Sequence, residues 1–180
     1  MNLLFRILLY ISSYLPLVVL IFIQNMYDLT WKAAYKTLVN NIFFWKVVFL
    51  AVLFSSMALI FWLIAIKKES ASDGRKYSVD NLKEIDVEVL NYFVTYIVPL
   101  LSLDISSKTS ILVNFLFIVL LGIYFVRNNA LHFNIMLILL GYHIYTNDKD
   151  HIIISKRTLY EIKNNALKAD QIGTSQIFYI

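Results

Sequence analysis

The side chains best suited to catalysis or metal binding are few in this chain. It contains three histidines, His132, His143 and His151, and no cysteine, which excludes thiolate catalysis, disulfides and cysteine-based zinc sites. The sequence also lacks the HExxH, glycine-rich phosphate-binding and GxSxG motifs. On a helix, His132 and His143 would share a face but lie about 16 Å apart, too far to hold one metal ion. We therefore interpret the histidines as structural or interfacial, and expect no catalytic residue, metal or cofactor.

The composition indicates a membrane protein. Hydrophobic residues make up 59% of the chain and charged residues 16%, whereas soluble domains average about 45–50% and about 25%. With a net charge of +4, we expect Lys and Arg to set the topology and face anionic lipid, with no direct nucleic-acid site. Ionisable residues in the apolar segments lie near segment ends, which disfavours a proton relay or an ion-coupled transporter.

Four apolar segments are predicted to cross the membrane, at residues 3–23, 42–66, 88–105 and 110–127. A crossing needs about 20 apolar residues. Pro16 and Pro99 are expected to kink the first and third spans. Segment 130–141 has only 12 residues and is predicted to be interfacial or re-entrant. The chain then divides into a membrane domain at 1–141 and a cytoplasmic β-rich tail at 142–180.

The distribution of Lys and Arg predicts the orientation. By the positive-inside rule, both termini and the basic loop 67–88 are cytoplasmic, and the connector 25–41 lies outside. The number of crossings is then even, which leaves two arrangements. In the preferred one 88–105 spans, whereas in the other that run is re-entrant and 130–146 spans. A five-span arrangement would export the basic tail and ranks last.

Aromatic and amide residues suggest how the segments sit and pack. Tyr27, Trp31 and Tyr35 recur every four residues, which is typical of a short helix at headgroup depth, although a simple connector with belt aromatics fits equally well. Three amides are predicted to form interhelical hydrogen bonds rather than to line a pore: Asn91, Asn114 and Asn134.

The end of the chain has a strand-like pattern. Residues 142–146 and 151–155 are rich in β-branched and aromatic residues and flank the polar NDKD turn, which predicts a hairpin. The closing IFYI is a candidate third strand. Because a lone hairpin is marginal in water, we expect it to pack on its own tail, the 67–88 loop, a second copy or a partner. Acidic residues late in that loop predict a helix starting near Asp80 or Asp86.

The second half of the chain resembles KwaA, the small membrane subunit of the bacterial Kiwa anti-phage defence system. The resemblance lies in YFVTYIVPLL at 92–101, the segment ending at Arg127, NNALHFNIMLILLGYHIYT at 128–146, and IIISKR at 152–157 with the closing IFYI. It covers roughly residues 85–180 and the plan of two preceding spans. It implies a four-span, homo-oligomeric inner-membrane protein that is not an enzyme and binds a cytoplasmic DNA-binding partner, KwaB. No functional residues are carried over from the family.

Two functional hypotheses follow. The first is a scaffold or sensor of phage infection that docks its cytoplasmic partner, so that DNA held by the partner would lie near the basic face. The predicted docking residues are Lys67, Lys68, Arg75, Lys76, Lys149, Lys156, Arg157, Ile177, Phe178 and Tyr179. The alternative is a small oligomeric pore that depolarises the cell, with Asn114 and Asn134 lining the conduit.

Overall fold

A computed structural model describes most of the chain, and two compact units can be distinguished in it. The helical unit comprises residues 2–58 and 93–131, and the sheet unit comprises residues 1, 59–92 and 132–180. The described residues are 3–73, 76–77, 81–86, 89–91, 94, 103–128, 134–148, 151–165, 167–171 and 177–180.

Five helices account for most of the apolar sequence: α1 (Leu3–Ser12), α2 (Leu15–Gln24), α3 (Trp31–Asn40), α4 (Ile42–Asp73) and α5 (Lys108–Arg127). Within the described residues, three helical stretches are long and apolar enough to cross a membrane, namely Leu3–Gln24, Ile42–Lys68 and Lys108–Arg127. They coincide with three of the four predicted spans. The fourth, 88–105, lies mostly outside the described residues.

The first apolar stretch is interrupted just before Pro16. α1 ends at Ser12 and α2 begins at Leu15, with the proline in its first turn. Proline has no N–H to donate to the carbonyl of residue 12, and its ring clashes with that carbonyl. The Ser12 and Ser13 hydroxyls donate to the carbonyls of Leu9 and Tyr10, both at 2.7 Å. The serines thus add hydrogen bonds to the last turn of α1, where the helical ladder stops.

In the helical unit, α1 packs against α5 through Tyr10. The Tyr10 hydroxyl donates to the Ile118 carbonyl at 2.7 Å and also hydrogen-bonds the Tyr14 hydroxyl. Its ring lies 5.1 Å from that of the buried Phe125. A Cβ added to Gly122 would lie 2.9 Å from the Tyr10 ring. The glycine therefore provides the space that this tyrosine occupies.

The short helix α3 has one inward and one outward face. Thr30 caps it by accepting a hydrogen bond from the Ala33 N–H at 3.2 Å. Ala33 is fully buried, whereas Trp31 and Tyr35 are 92% and 70% exposed. The aromatic residues that share one helical face thus point away from the protein.

The sheet unit contains one six-stranded mixed sheet in the order β1-β5-β6-β4-β3-β2. Its strands are β1 (Lys76–Tyr77), β2 (Lys83–Glu84), β3 (His143–Thr146), β4 (Ile152–Ser155), β5 (Ala169–Gln171) and β6 (Ile177–Tyr179). The pair β4 and β6 is parallel, and every other pair is antiparallel. Two short helices flank the strands, α6 (Ile135–Leu139) and α7 (Leu159–Asn164).

Both edges of the sheet come from the same loop. β1 pairs with β5 at one edge and β2 with β3 at the other. Strands lie about 4.8 Å apart, so a flat six-stranded sheet would separate its edge strands by about 24 Å. The chain from Tyr77 to Lys83 reaches at most about 22 Å when fully extended. The sheet must therefore curve to bring its two edges within reach of one loop.

The core of the sheet unit explains how such short strands hold together. Buried side chains from the strands, the loop and α7 meet in one cluster, formed by Leu82, Tyr145, Ile153, Ile162, Ala169 and Phe178. A capping box fixes the start of α7, because Thr158 and Glu161 each bond the other's backbone N–H. The strands thus share one apolar core that none of them could form alone.

The structure confirms the predicted hairpin and the predicted third strand. β3 and β4 pair in register around the NDKD turn, and β6 joins β4 on its other side. The hairpin packs on its own tail and on the 67–88 loop, two of the surfaces that we expected. Asp86, residues 89–91 and residue 94 are helical, in line with the helix predicted to start near Asp86. Segment 130–141 yields the five-residue α6 in its described part.

Truncating a core residue of the sheet should destabilise the sheet unit. Phe178 is 4% exposed, and Phe→Ala changes in cores cost about 3–5 kcal/mol. We expect Phe178→Ala to lower the resistance of purified, detergent-solubilised protein to pulse proteolysis in urea. Tyr160→Ala, at a residue 74% exposed, is the matched control and should leave resistance unchanged. Equal resistance of both variants would contradict a packed core.

Candidate functional site: a histidine–carboxylate cluster

Three side chains that could bind a cation meet beside β2 and β3. His143 Nδ1 lies 2.9 Å from Asp86 Oδ2 and 3.3 Å from Glu84 Oε1. All three potential ligand atoms are within 4.8 Å of one another. The side chains of Glu84, His143 and Asp86 are 45%, 36% and 19% exposed. The cluster is therefore partly shielded but open to solvent.

The strand register brings the cluster together. Glu84 pairs with Tyr145 across β2 and β3, and the Ile85 N–H donates to the Ile144 carbonyl at 3.0 Å. The Ile144 N–H then donates to Asp86 Oδ1 at 2.8 Å. This bond fixes the Asp86 carboxylate so that its other oxygen faces His143.

A glycine turn fixes where β3 begins. Gly141 has a φ of +77°, and its N–H donates to the Ile138 carbonyl while the Tyr142 N–H donates to the Leu137 carbonyl. This is a Schellman motif, which ends α6 and needs a residue that tolerates positive φ. Only Tyr142 separates this turn from His143, so the turn fixes where the histidine lies along the chain's path.

Of two buried tyrosines near the cluster, only Tyr145 has a pKa that is raised by the carboxylates of the cluster. Burial raises the pKa of Tyr145, and the charges of Glu84, Asp86 and Glu161 raise it further. The Tyr145 hydroxyl donates to the Arg157 carbonyl at 2.9 Å. Burial, together with the neighbouring Tyr179, raises the pKa of Tyr142. The region next to the cluster thus carries a negative potential that disfavours further negative charge.

In the described part of the chain, one basic residue lies within salt-bridge distance of the two carboxylates. Salt bridges there link Glu84 and Asp86 to His143 alone. Since two carboxylates face one imidazole, the cluster carries net negative charge even when the histidine is protonated. Such an arrangement can hold a proton or a metal ion between its three ligand atoms.

The predicted docking residues fall into distinct environments. Lys67 and Lys68 are exposed near the end of α4. Lys156 and Arg157 are exposed after β4. The ammonium of Lys156 lies 4.8 Å from the centre of the Tyr142 ring, and Arg157 Nη1 lies 3.8 Å from Glu161 Oε1. Lys76 belongs to β1, and Arg75 and Lys149 lie outside the described residues.

The apolar part of the docking prediction lies inside the sheet. β6 is paired on both sides, Phe178 and Tyr179 are buried, and Ile177 is half-buried. These three residues hold the sheet together, so the docking prediction rests on the exposed basic residues.

The predicted interhelical amides are placed by the structure as follows. The Asn114 side chain donates to the Ser110 carbonyl of its own helix at 3.0 Å. Asn134 caps α6, because its side-chain oxygen accepts from the Met136 N–H at 2.9 Å. Asn91 is exposed in the helical stretch after Asp86, and Pro99 lies outside the described residues. Whether these amides also bond other helices stays a prediction.

Sequence reasoning missed the cluster. Asp86 and Glu84 were interpreted as acids of a first helical turn, and His143 lies 57 residues after Asp86. No spacing motif joins groups so far apart. Pairing of a strand at 83–84 with the hairpin could have revealed the cluster, but a two-residue strand leaves no periodic signal.

Together, the fold and the cluster define a mostly helical protein with three apolar helices long enough to cross a membrane and a small mixed sheet. The family model described as anti-phage protein KwaA matches residues 5–179, nearly the whole chain, and the chain therefore belongs to the KwaA family of anti-phage proteins. Searches of curated proteins and of solved structures found no match.

Removing the Asp86 carboxylate should loosen the edge of the sheet. Asp86→Ala removes the acceptor of the Ile144 N–H and the nearer of the two carboxylates beside His143, a loss of about 1–3 kcal/mol. We expect faster amide exchange in β3 by hydrogen–deuterium exchange mass spectrometry. Asp86→Asn keeps an acceptor oxygen and should show a smaller effect. Unchanged exchange in both variants would mean that the cluster does not hold this edge.

The raised pKa of Tyr145 predicts alkaline sensitivity. An unfolded tyrosine ionises near pH 10, and the folded pKa of Tyr145 lies above that value. Its contribution to stability is therefore complete below pH 10 and is lost as the pH rises through the folded pKa. Subtracting the phenolate absorbance titration of Tyr145→Phe from that of wild type isolates this residue. Ionisation at or below pH 10 in the folded protein would refute the prediction.

Proposed function

We propose that this chain is a non-enzymatic, four-span, homo-oligomeric scaffold of the bacterial inner membrane that senses phage infection. Its two termini and its sheet lie in the cytoplasm, where the sheet unit docks a partner of the KwaB kind. The observation that carries the proposal is the pairing of β1 with β5 and of β2 with β3 in one sheet. Membership of an anti-phage family supplies the biological setting.

The sheet constrains how often the chain crosses the membrane. Strands that pair must lie on the same side, so the chain crosses an even number of times between Glu84 and His143. α5 is one candidate crossing. Residues 135–146 form a five-residue helix, a turn and a strand, whereas a crossing needs about 20 apolar residues. Segment 88–105 is then the stretch best suited to supply the second crossing.

The exposed side chains fit a membrane setting. Trp31, Tyr35 and Tyr27 are 92%, 70% and 64% exposed on or beside α3, where headgroups would accommodate their amphipathic rings. Within its apolar window only 6% of α5 is buried. That surface is available to lipid or to other copies of the chain, as a homo-oligomer requires. Lys67 and Lys68, exposed at the other end of α4, suit anionic headgroups.

The sheet unit offers basic groups for a partner. Lys156 contacts an aromatic ring and Arg157 makes a long, exposed ion pair with Glu161, and such exposed pairs are worth about 0–1 kcal/mol. Their charges therefore remain available to acidic groups on a docked protein. The pore alternative gains less support, because Asn114 donates to its own helix.

Single-cysteine labelling can test the topology, because the chain has no cysteine. Ser106→Cys and Tyr160→Cys each introduce one thiol at an exposed residue. In spheroplasts treated with a membrane-impermeant maleimide, we expect position 106 to react and position 160 to react only after lysis. Leu29→Cys, at a residue 79% exposed on the predicted outer side, is the positive control.

The other labelling patterns have defined meanings. If neither position 106 nor position 160 reacts before lysis, residues 88–105 do not cross and the four-span order is wrong as proposed. If position 160 reacts in intact spheroplasts, the tail is external and docking to a cytoplasmic partner fails.

Charge reversal can test partner docking. We expect Lys156→Glu with Arg157→Glu to reduce co-purification of a co-expressed KwaB-like partner about tenfold, equivalent to about 1.4 kcal/mol, because acidic partner groups would then be repelled. Lys32→Glu with Lys36→Glu on α3 makes the same charge change on the predicted outer side and should have no effect. If both double variants recovered the same amount of partner, the docking proposal would be wrong.

A further inference from the structure

The spacing of the histidine–carboxylate cluster matches that of ligands around a metal ion. Zinc binds imidazole nitrogen at about 2.0–2.1 Å and carboxylate oxygen at about 2.0–2.2 Å. Ligands at these distances lie about 3.0–3.5 Å apart in octahedral or tetrahedral geometry. His143 Nδ1 lies 2.9 Å and 3.3 Å from the carboxylate oxygens of Asp86 and Glu84. The third separation, between the two carboxylate oxygens, is at most 4.8 Å, so rotation of the carboxylate side chains would let all three atoms reach one ion.

The ligand types and charges also favour a cation. Imidazole nitrogen and carboxylate oxygen are ligand types that Zn²⁺, Mn²⁺ and Fe²⁺ accept. In the described part of the chain, no Lys or Arg forms a salt bridge with Glu84 or Asp86.

The surrounding structure orients the ligands before any ion arrives. The Ile144 N–H holds Asp86 Oδ1 at 2.8 Å and leaves Oδ2 facing the histidine. The His143 ring stacks on Tyr145 at a centroid distance of 6.2 Å, and the Tyr145 hydroxyl is itself anchored to a backbone carbonyl. Outer contacts of this kind commonly orient metal ligands. The exposure of Glu84, 45%, leaves a route for the ion and room for water ligands.

We propose that Glu84, Asp86 and His143 bind one divalent transition-metal ion of the zinc class. The ion would join three parts of the chain: the edge strand β2, the hairpin strand β3 and the helical backbone at Asp86. Metal binding would then stabilise these three parts together. The proposal does not depend on the docking function or on the number of spans.

Zinc binding to the full-length protein tests the proposal directly. The protein should be purified in detergent without a histidine tag, stripped with a chelator, and titrated with Zn²⁺ alone by calorimetry at neutral pH. We expect one equivalent to bind, and Glu84→Gln, Asp86→Asn and His143→Gln each to weaken affinity at least about tenfold. His151→Gln, which removes a histidine outside the cluster, should bind as wild type does.

A second readout separates a metal site from a general stability effect. Co²⁺ should give a visible absorption band in wild-type protein and in His151→Gln but not in His143→Gln. Zn²⁺ should also slow amide exchange in β3 of wild type and leave exchange in Glu84→Gln unchanged. Glu84→Gln keeps the size of the side chain, so loss of binding with unchanged exchange in the metal-free state reports the ligand itself. The proposal would be falsified if Zn²⁺ did not bind stoichiometrically, or if the three cluster variants bound it as wild type does. The cluster would then be a hydrogen-bonded pairing of His143 with the two carboxylates.

Discussion

The sheet unit depends on one constraint: both edges of the sheet are supplied by the loop that follows α4. The central strands of the tail are three or four residues long, and an isolated hairpin of that length is marginal in water. β1 and β2 cover the outer strands, and Leu82 from the same loop enters the core. Since both edge strands have only two residues each, they also offer little template for unwanted pairing. The curvature, the core and the position of Glu84 all follow from this arrangement.

A different constraint applies to the helical unit: unpaired polar groups are costly in apolar surroundings. Tyr10, Ser12 and Ser13 lie in the first apolar stretch, and each hydroxyl donates to a backbone carbonyl. Arg6 Nη1 lies 3.4 Å from the Val126 carbonyl in the last turn of α5, where a positive charge complements the helix dipole. Tyr10 and Arg6 therefore strengthen the contact between α1 and α5, whereas the two serines bond carbonyls of α1 itself.

The parts that the sequence predicted correctly are those governed by local patterns. Long apolar runs predicted three helices, and β-branched residues around NDKD predicted the hairpin. The parts that it did not predict depend on distant pairing. Lys76 pairs with Asp170, and Ile153 pairs with Phe178 in a parallel ladder, and neither contact leaves a periodic trace in strands of two to four residues. The cluster was missed for the same reason, since Glu84 and Asp86 satisfy the expectation for a helix start and meet His143 only through the β2–β3 register.

The position of β6 has a consequence for the integrity of the sheet. The last strand of the chain is not at an edge but between β4 and β5, and Ser155 Oγ donates to the carbonyl of the final residue, Ile180. Within the described sheet, β4 and β5 are therefore connected only through β6. Without β6 the sheet would divide into β1–β5 and β4–β3–β2, and Phe178's place in the core would be empty. A change that displaces β6 would thus separate the two edges that the loop after α4 supplies.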